Sequence, residues 1–536
     1  MDKIIVIGSG ASGVHFAQSV LQKGYRVLML DVGFYREEMV NPEDSLTDLK
    51  SNLNDPAAYF LGKDFEAVIY PDAEGEYYGF PPSKNFVFAN LKEFRFKSRG
   101  FSPLFSFARG GLAEAWTAGS YPFNDEELED FPFNYQDIEP YYNQVAERIG
   151  IIGEMDDLTR FFPVHQHILP PLKLDEHSRV LIESYQRKKD YLNNKLKSFI
   201  GRSRIAALSE DRNGRKGCTY TGRCIWGCPT GAFYTPSLTL KECMSNPNFQ
   251  YLPGMFVSHF KVDSAGKLKS VVARSVAEHS TREFAAEKFV LAAGALPSTK
   301  IYLDTIYHHT GEIVTLKGLL DNRQILVPFL NLKMIGKAFN PQSYQYHQLA
   351  IGMETGEPKN YIHGQITTLK TAMIHPIIQN VPADLKTSIF LFRNVHAALG
   401  VINVIFPDFR REENYVTLEV DNRNGTSRLM INYVPPAGEK TMIKKTIKQI
   451  KKVLSALGCV VPPGMIHIRP MGASVHYAGT LPMCKTPRAH TTSPDGQSND
   501  YENLYFVDGS TYPFLPAKNL TFTLMANAAR VADTAF

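Results

Sequence analysis

Two groups of residues in this chain have types and spacings that chemistry can use. The first is Gly8-Ser9-Gly10-Ala11-Ser12-Gly13, which follows the apolar run Lys3-Ile4-Ile5-Val6-Ile7 directly and leads into Val14 to Lys23 at helical spacing. Gly8 permits a tight turn, Gly10 lets the backbone approach a pyrophosphate, and Gly13 allows close packing of helix on strand. Free N–H groups at the helix start then attract the phosphates. A second strand, Tyr25 to Leu30, ends in Asp31, whose carboxylate can accept hydrogen bonds from adenosine ribose hydroxyls and would repel a 2′-phosphate. Strand, glycine turn, helix and acid in this order predict dinucleotide binding.

The second group is Cys218, Cys224 and Cys228, three of six cysteines in 536 residues, falling within eleven positions. Glycines at 217, 222, 227 and 231, with Pro229, make a loop able to fold its backbone round a compact object. Several thiolates suit an iron–sulfur cluster. Zinc usually takes a fourth ligand, for which Cys243 is the nearest thiol, and a disulfide is disfavoured in a reducing compartment. A purely structural loop without metal is the fourth reading.

Around these groups the organisation is interleaved rather than sequential. A strand leading into a small-residue turn recurs mid-chain at Lys288-Phe-Val-Leu-Ala-Ala-Gly-Ala295, which suits a backbone lying close to a cofactor. From about Thr310 to Cys459 the texture changes to alternating strands, with Asn414 to Val420 and Leu429 to Tyr433 joined as a hairpin through Asp421 to Thr426. A helix from about Gly438 to Leu457 follows. Its six lysines, interleaved with Met442, Ile443, Ile447 and Ile450, read as a solvated face over a packed one. The net charge of +4 is small and spread out, so nothing implies nucleic acid. No apolar run is long enough to span a membrane, and the first strand starts at Lys3, where a signal peptide would lie; these place the chain in the cytoplasm. A chain of this length predicts two domains.

VIGSGASG at the start, Arg109 to Trp116, the LAAGAL strand, and HYAGT, NLYFVDGSTYP and AKNLTFTLMANAAR near the end resemble the glucose-methanol-choline (GMC) oxidoreductases over the whole length and in that family's order. The resemblance implies FAD-dependent oxidation of an alcohol. It implies FAD contacts from Gly8, Gly10, Ser12, Gly13, Asp31, Arg109, Gly110, Gly111, Trp116, Val257, Ala293, Gly294, Asp508, Gly509, Leu520 and Thr521. His476 takes the place of the base that removes the hydroxyl proton, and Asn519 that of the residue orienting the same hydroxyl; Asn can donate and accept but cannot act as a base. Two positions depart from the family pattern: Leu520 stands where Pro is usual, and Leu481-Pro482 replace the commoner Cys-Arg. The cysteine loop is similar to that of bacterial FAD sugar dehydrogenase catalytic subunits, which implies a [3Fe-4S] cluster at Cys218, Cys224 and Cys228.

The fold class expected is α/β, a Rossmann-like FAD-binding domain of GMC type interleaved with an α+β substrate domain containing a largely antiparallel sheet. The first takes 1–160, 200–310 and 460–536, the second 161–199 and 311–459. A sugar, aminosugar, glycoside or polyol is the expected substrate, with Tyr344, Tyr346, His347, Tyr361, His363 and Gln365 as candidate contacts. A long-chain or terpenoid alcohol competes, and so does a non-catalytic FAD-binding role in a biosynthetic complex. An electron-acceptor protein or quinone is the partner expected if the enzyme is a dehydrogenase.

Overall fold

A computed structural model describes residues 3–37, 40–41, 43–68, 76, 80–369, 382–421, 423 and 425–536. Five short strands from distant parts of the chain form one parallel sheet, in the order Leu504–Phe506, Lys288–Leu291, Lys3–Ile7, Arg26–Leu30 and Phe249–Leu252. Parallel strands need both faces covered, and their apolar runs provide for it. Ile4, Val6, Val27 and Met29 pack on one side against helices Ala11–Gln22 and Thr521–Thr534, while Ile5, Ile7, Leu28 and Leu30 pack on the other. That second face meets helix Ala295–Thr310 and a three-stranded antiparallel sheet spanning Met255–Val262, Leu268–Ser275 and Thr281–Ala285.

The second large sheet has seven strands, and every pairing in it is antiparallel. Its centre runs Gln324–Asn331, Leu399–Ile405, Ile362–Thr368 and Leu349–Met353, with Ser198–Arg202 at one edge. Ile200 of this edge strand pairs with Ile351, so this sheet takes in residues on both sides of the expected boundary at 199. Helices Glu176–Asp190 and Glu439–Ala456 cover the sheet. The lysine-rich helix buries Ile443, Ile450, Val453 and Leu454 against it and turns its lysines away.

The expected hairpin forms from Tyr415–Asp421 and Thr426–Asn432, though Asn422 and Asn424 of its turn lie outside the described residues. Its position differs from the sequence expectation. Thr426–Asn432 pairs in parallel with Phe96–Arg99, and Val416, Leu418, Leu429 and Ile431 join the core under the parallel sheet, not that of the seven-stranded one. Alternation along the hairpin shows which residues are buried but carries no information on which of two cores receives them.

Candidate active site

All five parallel strands point their carboxyl ends the same way, the position where open α/β sheets hold ligands. There the structure has a cavity of about 420 Å³ lined from every part of the chain. Gly8, Gly10, Ser12, Asp31, Gly110, Gly111, Trp116, Val257, Ala293, Gly294, His476, Asp508, Gly509, Asn519, Leu520 and Thr521 all border it. Two expected contacts do not. A Cβ on Gly13 would lie 2.1 Å from the carbonyl oxygen of Gly8, so this glycine serves helix-on-strand packing. Arg109 turns its guanidinium over the Tyr35 ring, 4.2 Å from the centroid.

Gly10 is different, because a Cβ added there would meet no protein atom within 4 Å and would occupy the cavity itself. Gly8 has φ +101°, with its missing Cβ 2.6 Å from the Ala292 oxygen, so the turn brings the first strand against the mid-chain one. Asp31 accepts hydrogen bonds from the hydroxyls of Ser9 and, at 3.1 Å, Tyr251. Burial pushes its carboxyl up to about 6, against the opposing effect of those bonds. Asp508 accepts the Gly294 N–H at 3.1 Å and the Ser298 hydroxyl at 2.5 Å, which ties the C-terminal segment to the mid-chain turn. A glycine turn open to the cavity, a helix N-terminus and a ribose-height carboxylate fit the pyrophosphate and adenosine of FAD.

Across the cavity stands the seven-stranded sheet. Leu326, Asn403 and Gln365 lie side by side in register on neighbouring strands, and Gln324 shares their face two residues along. The Gln365 amide donates to Asn519 Oδ1. A Cβ on Gly119 would come within 2.6 Å of the same Asn519 oxygen, so a side chain there would displace that amide. Arg469 donates from Nη1 to Gln324 Oε1 at 2.7 Å and from Nε to Glu76 Oε1 at 2.6 Å.

His476 projects between these two walls from a constrained turn. Its neighbour Val475 has φ +57°, a left-handed conformation that costs a β-branched residue on the order of 1–3 kcal/mol and that recurs at functional sites. The Ser474 hydroxyl accepts the backbone N–H of His476 at 2.9 Å and donates to buried Asp321. On the ring, Nδ1 lies 2.9 Å from Asn322 Oδ1. Burial, reinforced by the nearby Arg469 charge, pushes the imidazole down to about 4, so it is neutral at ordinary pH. Lys518, next to Asn519 in the chain, is fully buried and donates to Glu127 at 2.5 Å and to the carbonyls of Pro122 and Phe161.

Of the six central-block candidates only Gln365 borders the cavity. Tyr344, Tyr346, His347, Tyr361 and His363 are buried in packing, with His363 edge-on to Tyr121 at 4.6 Å. Gln324, Asn403 and Arg469 were not foreseen. The one available signal was Asn403, a lone amide inside the apolar strand Leu399–Ile405.

The cysteine loop packs beside the site. Trp116, on the cavity wall, donates its indole N–H to the Tyr234 carbonyl at 2.9 Å, and Cys228 accepts the N–H of Phe233 at 3.4 Å. Burial, aided by the neighbouring thiols, pushes Cys218 up to about 11 and Cys224 higher still. Among the described residues no group of three His, Cys, Asp or Glu side chains converges to hold a metal ion.

In fold and in its cavity the chain is similar to the FAD-binding oxidoreductases of the GMC class. Residues 410–528 match the family model described as GMC oxidoreductase. The chain is 23% identical to paromamine 6'-oxidase of Streptomyces fradiae over 99% of its own length and 90% of that protein's. It is 22% identical to the fructose dehydrogenase large subunit of Gluconobacter japonicus, covering 99% and 97%. The crystal structure of pyridoxine 4-oxidase from Mesorbium loti superimposes with a TM-score of 0.59 over 99% of each chain at 15% identity, a likeness of fold. Among the described residues no helix is long and apolar enough to cross a membrane.

Proposed function

We propose that this protein oxidises a hydroxyl of a sugar-like polyol or aminosugar, with His476 as the base and Asn519 orienting the hydroxyl. Bound FAD supplies the hydride acceptor for the carbinol carbon. His476 receives the hydroxyl proton at Nε2, the ring nitrogen that does not face Asn322. Gln365 holds Asn519 by its oxygen, which leaves the Asn519 amide N–H groups to donate to a substrate oxygen.

The observation that carries the substrate class is the row of amides, Gln324, Gln365 and Asn403, on the wall facing His476. Gln324 is held at its oxygen by Arg469 and Gln365 at its nitrogen by Asn519, which leaves the other end of each amide for a hydroxyl, while Asn403 Oδ1 has no protein partner; an apolar alcohol would leave these groups unmatched at a cost of about 1–3 kcal/mol each. The names of the aminosugar oxidase and the fructose dehydrogenase relatives support the same class. Anaerobic mixing with aminosugars, sugars and polyols should bleach the flavin absorbance, whereas long-chain and terpenoid alcohols should not. A flavin that only the apolar alcohols reduce would overturn the substrate class, and one that no alcohol reduces would overturn the reaction.

The cysteine loop enters this reading as a structural loop beside Trp116. Iron in anaerobically purified protein, lost in Cys224→Ser together with transfer to one-electron acceptors, would instead give it the cluster that its spacing suggests.

A further inference from the structure

A histidine can act as the base only if the nitrogen facing the hydroxyl carries a lone pair, and an imidazole at neutral pH has two tautomers of similar energy. Something must select one. Asn322 sits two residues before the strand Gln324–Asn331, is essentially fully buried, and does not border the cavity. Its Nδ2 donates to the carbonyl of Phe406 at 2.7 Å and to that of Pro516 at 3.1 Å. Carbonyl oxygens only accept, so these two contacts determine which end of the amide is nitrogen, and the end 2.9 Å from His476 Nδ1 must be the oxygen. An oxygen there accepts from a ring N–H and would repel a ring lone pair.

We propose that Asn322 is the positioning residue that fixes the tautomer of His476, holding the proton on Nδ1 so that Nε2 presents its lone pair to the substrate hydroxyl. The inference rests on the reaction proposed above but not on the substrate class. It also explains why Asn322 is clamped between Phe406, at the end of one substrate-side strand, and Pro516, in the segment that leads to Asn519. The amide cannot rotate without leaving a buried carbonyl or ring N–H unpaired. The backbone of the same dipeptide is held too, because Asp321 N–H donates to Asp408 while the Asp321 carboxylate accepts from Gly472 N–H and from the Ser474 hydroxyl.

The test uses flavin-loaded protein and two near-isosteric variants, with FAD absorbance as the control for folding. Asn322→Leu leaves an Nδ1–H buried without an acceptor, which favours the unproductive Nε2–H tautomer, so the limiting rate of flavin reduction should fall about 5- to 100-fold with little change in substrate affinity. Asn322→Asp keeps an oxygen towards Nδ1–H, while its second oxygen meets the Phe406 and Pro516 carbonyls and must carry a proton to bond either. The plateau rate should therefore stay within about tenfold of wild type. In ¹⁵N NMR the His476 proton should stay on Nδ1 in the Asp variant and move to Nε2 in the Leu variant, a change that a structural role alone would not produce. If either variant fails to take up FAD, ¹⁵N NMR of histidine-labelled wild type, assigned by loss of the signal in His476→Ala, decides directly between Nδ1–H and Nε2–H. An Nε2–H signal in the wild type, an Asp variant no faster than the Leu variant, or a Leu variant that keeps more than about a third of the wild-type rate would overturn the proposal. Failure of every alcohol to reduce the wild-type flavin would sink the proposed reaction instead, and the NMR assignment would still stand or fall on its own.

Discussion

His476 and Asn519 differ in what their removal should cost. With the imidazole gone there is no proton acceptor, so His476→Ala should retain FAD and slow flavin reduction by about 10²- to 10⁴-fold. Asn519→Ala loses only an orienting hydrogen bond and should cost closer to tenfold. Stopped-flow reduction that is slower in the Asn variant would reverse the two roles. Because burial and Arg469 hold the His476 imidazole down to about 4, the neutral, proton-accepting form persists through the neutral range. The rate should therefore be flat near pH 7 and fall only as pH drops through about 4. Asp31 has the opposite sign, being pushed up to about 6, so FAD affinity should weaken as pH falls through that value and the carboxylate protonates. Asp31→Asn should bind FAD more weakly and lose this pH dependence; equilibrium FAD titration checks both.

At the scale of elements, the first strand–turn–helix unit assigns separate tasks to glycines that look alike in sequence. A side chain on Gly10 would fill cavity space and touch no protein atom, so Gly10→Val should give folded protein that purifies without flavin. The same change at Gly13 meets the Gly8 carbonyl at 2.1 Å and should damage folding itself. Circular dichroism together with flavin content separates the outcomes, and a Gly10→Val protein with full flavin would place the pyrophosphate elsewhere. The substrate-side sheet provides position in a different way. Its antiparallel register sets Leu326, Asn403 and Gln365 abreast, so each strand contributes one residue to the wall that faces His476.

The molecule as a whole is held together where its distant segments cross. Lys518 precedes Asn519 and reaches Glu127 and the carbonyls of Pro122 and Phe161, with both charged side chains fully buried. Burial pushes the Lys518 ammonium down and the Glu127 carboxyl up, and each charge opposes the shift of the other. Breaking such a pair strands a buried charge, so Lys518→Met should destabilise the protein by about 3–5 kcal/mol. Replacing both partners with apolar residues of similar size should recover much of that loss. Thermal or denaturant unfolding of the single and double variants measures the difference, and a single variant as stable as wild type would remove this contact from the forces that hold Asn519 in place.

What the sequence alone determined is what local patterning can carry. The apolar run, the glycines at 8, 10 and 13 and the acid at 31 specify a strand, a turn, a helix and a ribose-height carboxylate, because each depends on neighbours a few residues away. His476 and Asn519 were legible only through the resemblance of the segments around them, and the lysine-rich helix through its period. Only the tertiary structure decided which residues meet. It brought Gln324, Asn403 and Arg469 to the same cavity, set Asn322 against His476, and turned Tyr361 and His363 into packing. It also gave the hairpin at Tyr415–Asp421 to the core under the parallel sheet. Strand alternation states that a side chain is buried, but the sheet it faces and the partner it meets depend on register and on contacts between residues more than a hundred positions apart, which no local pattern encodes.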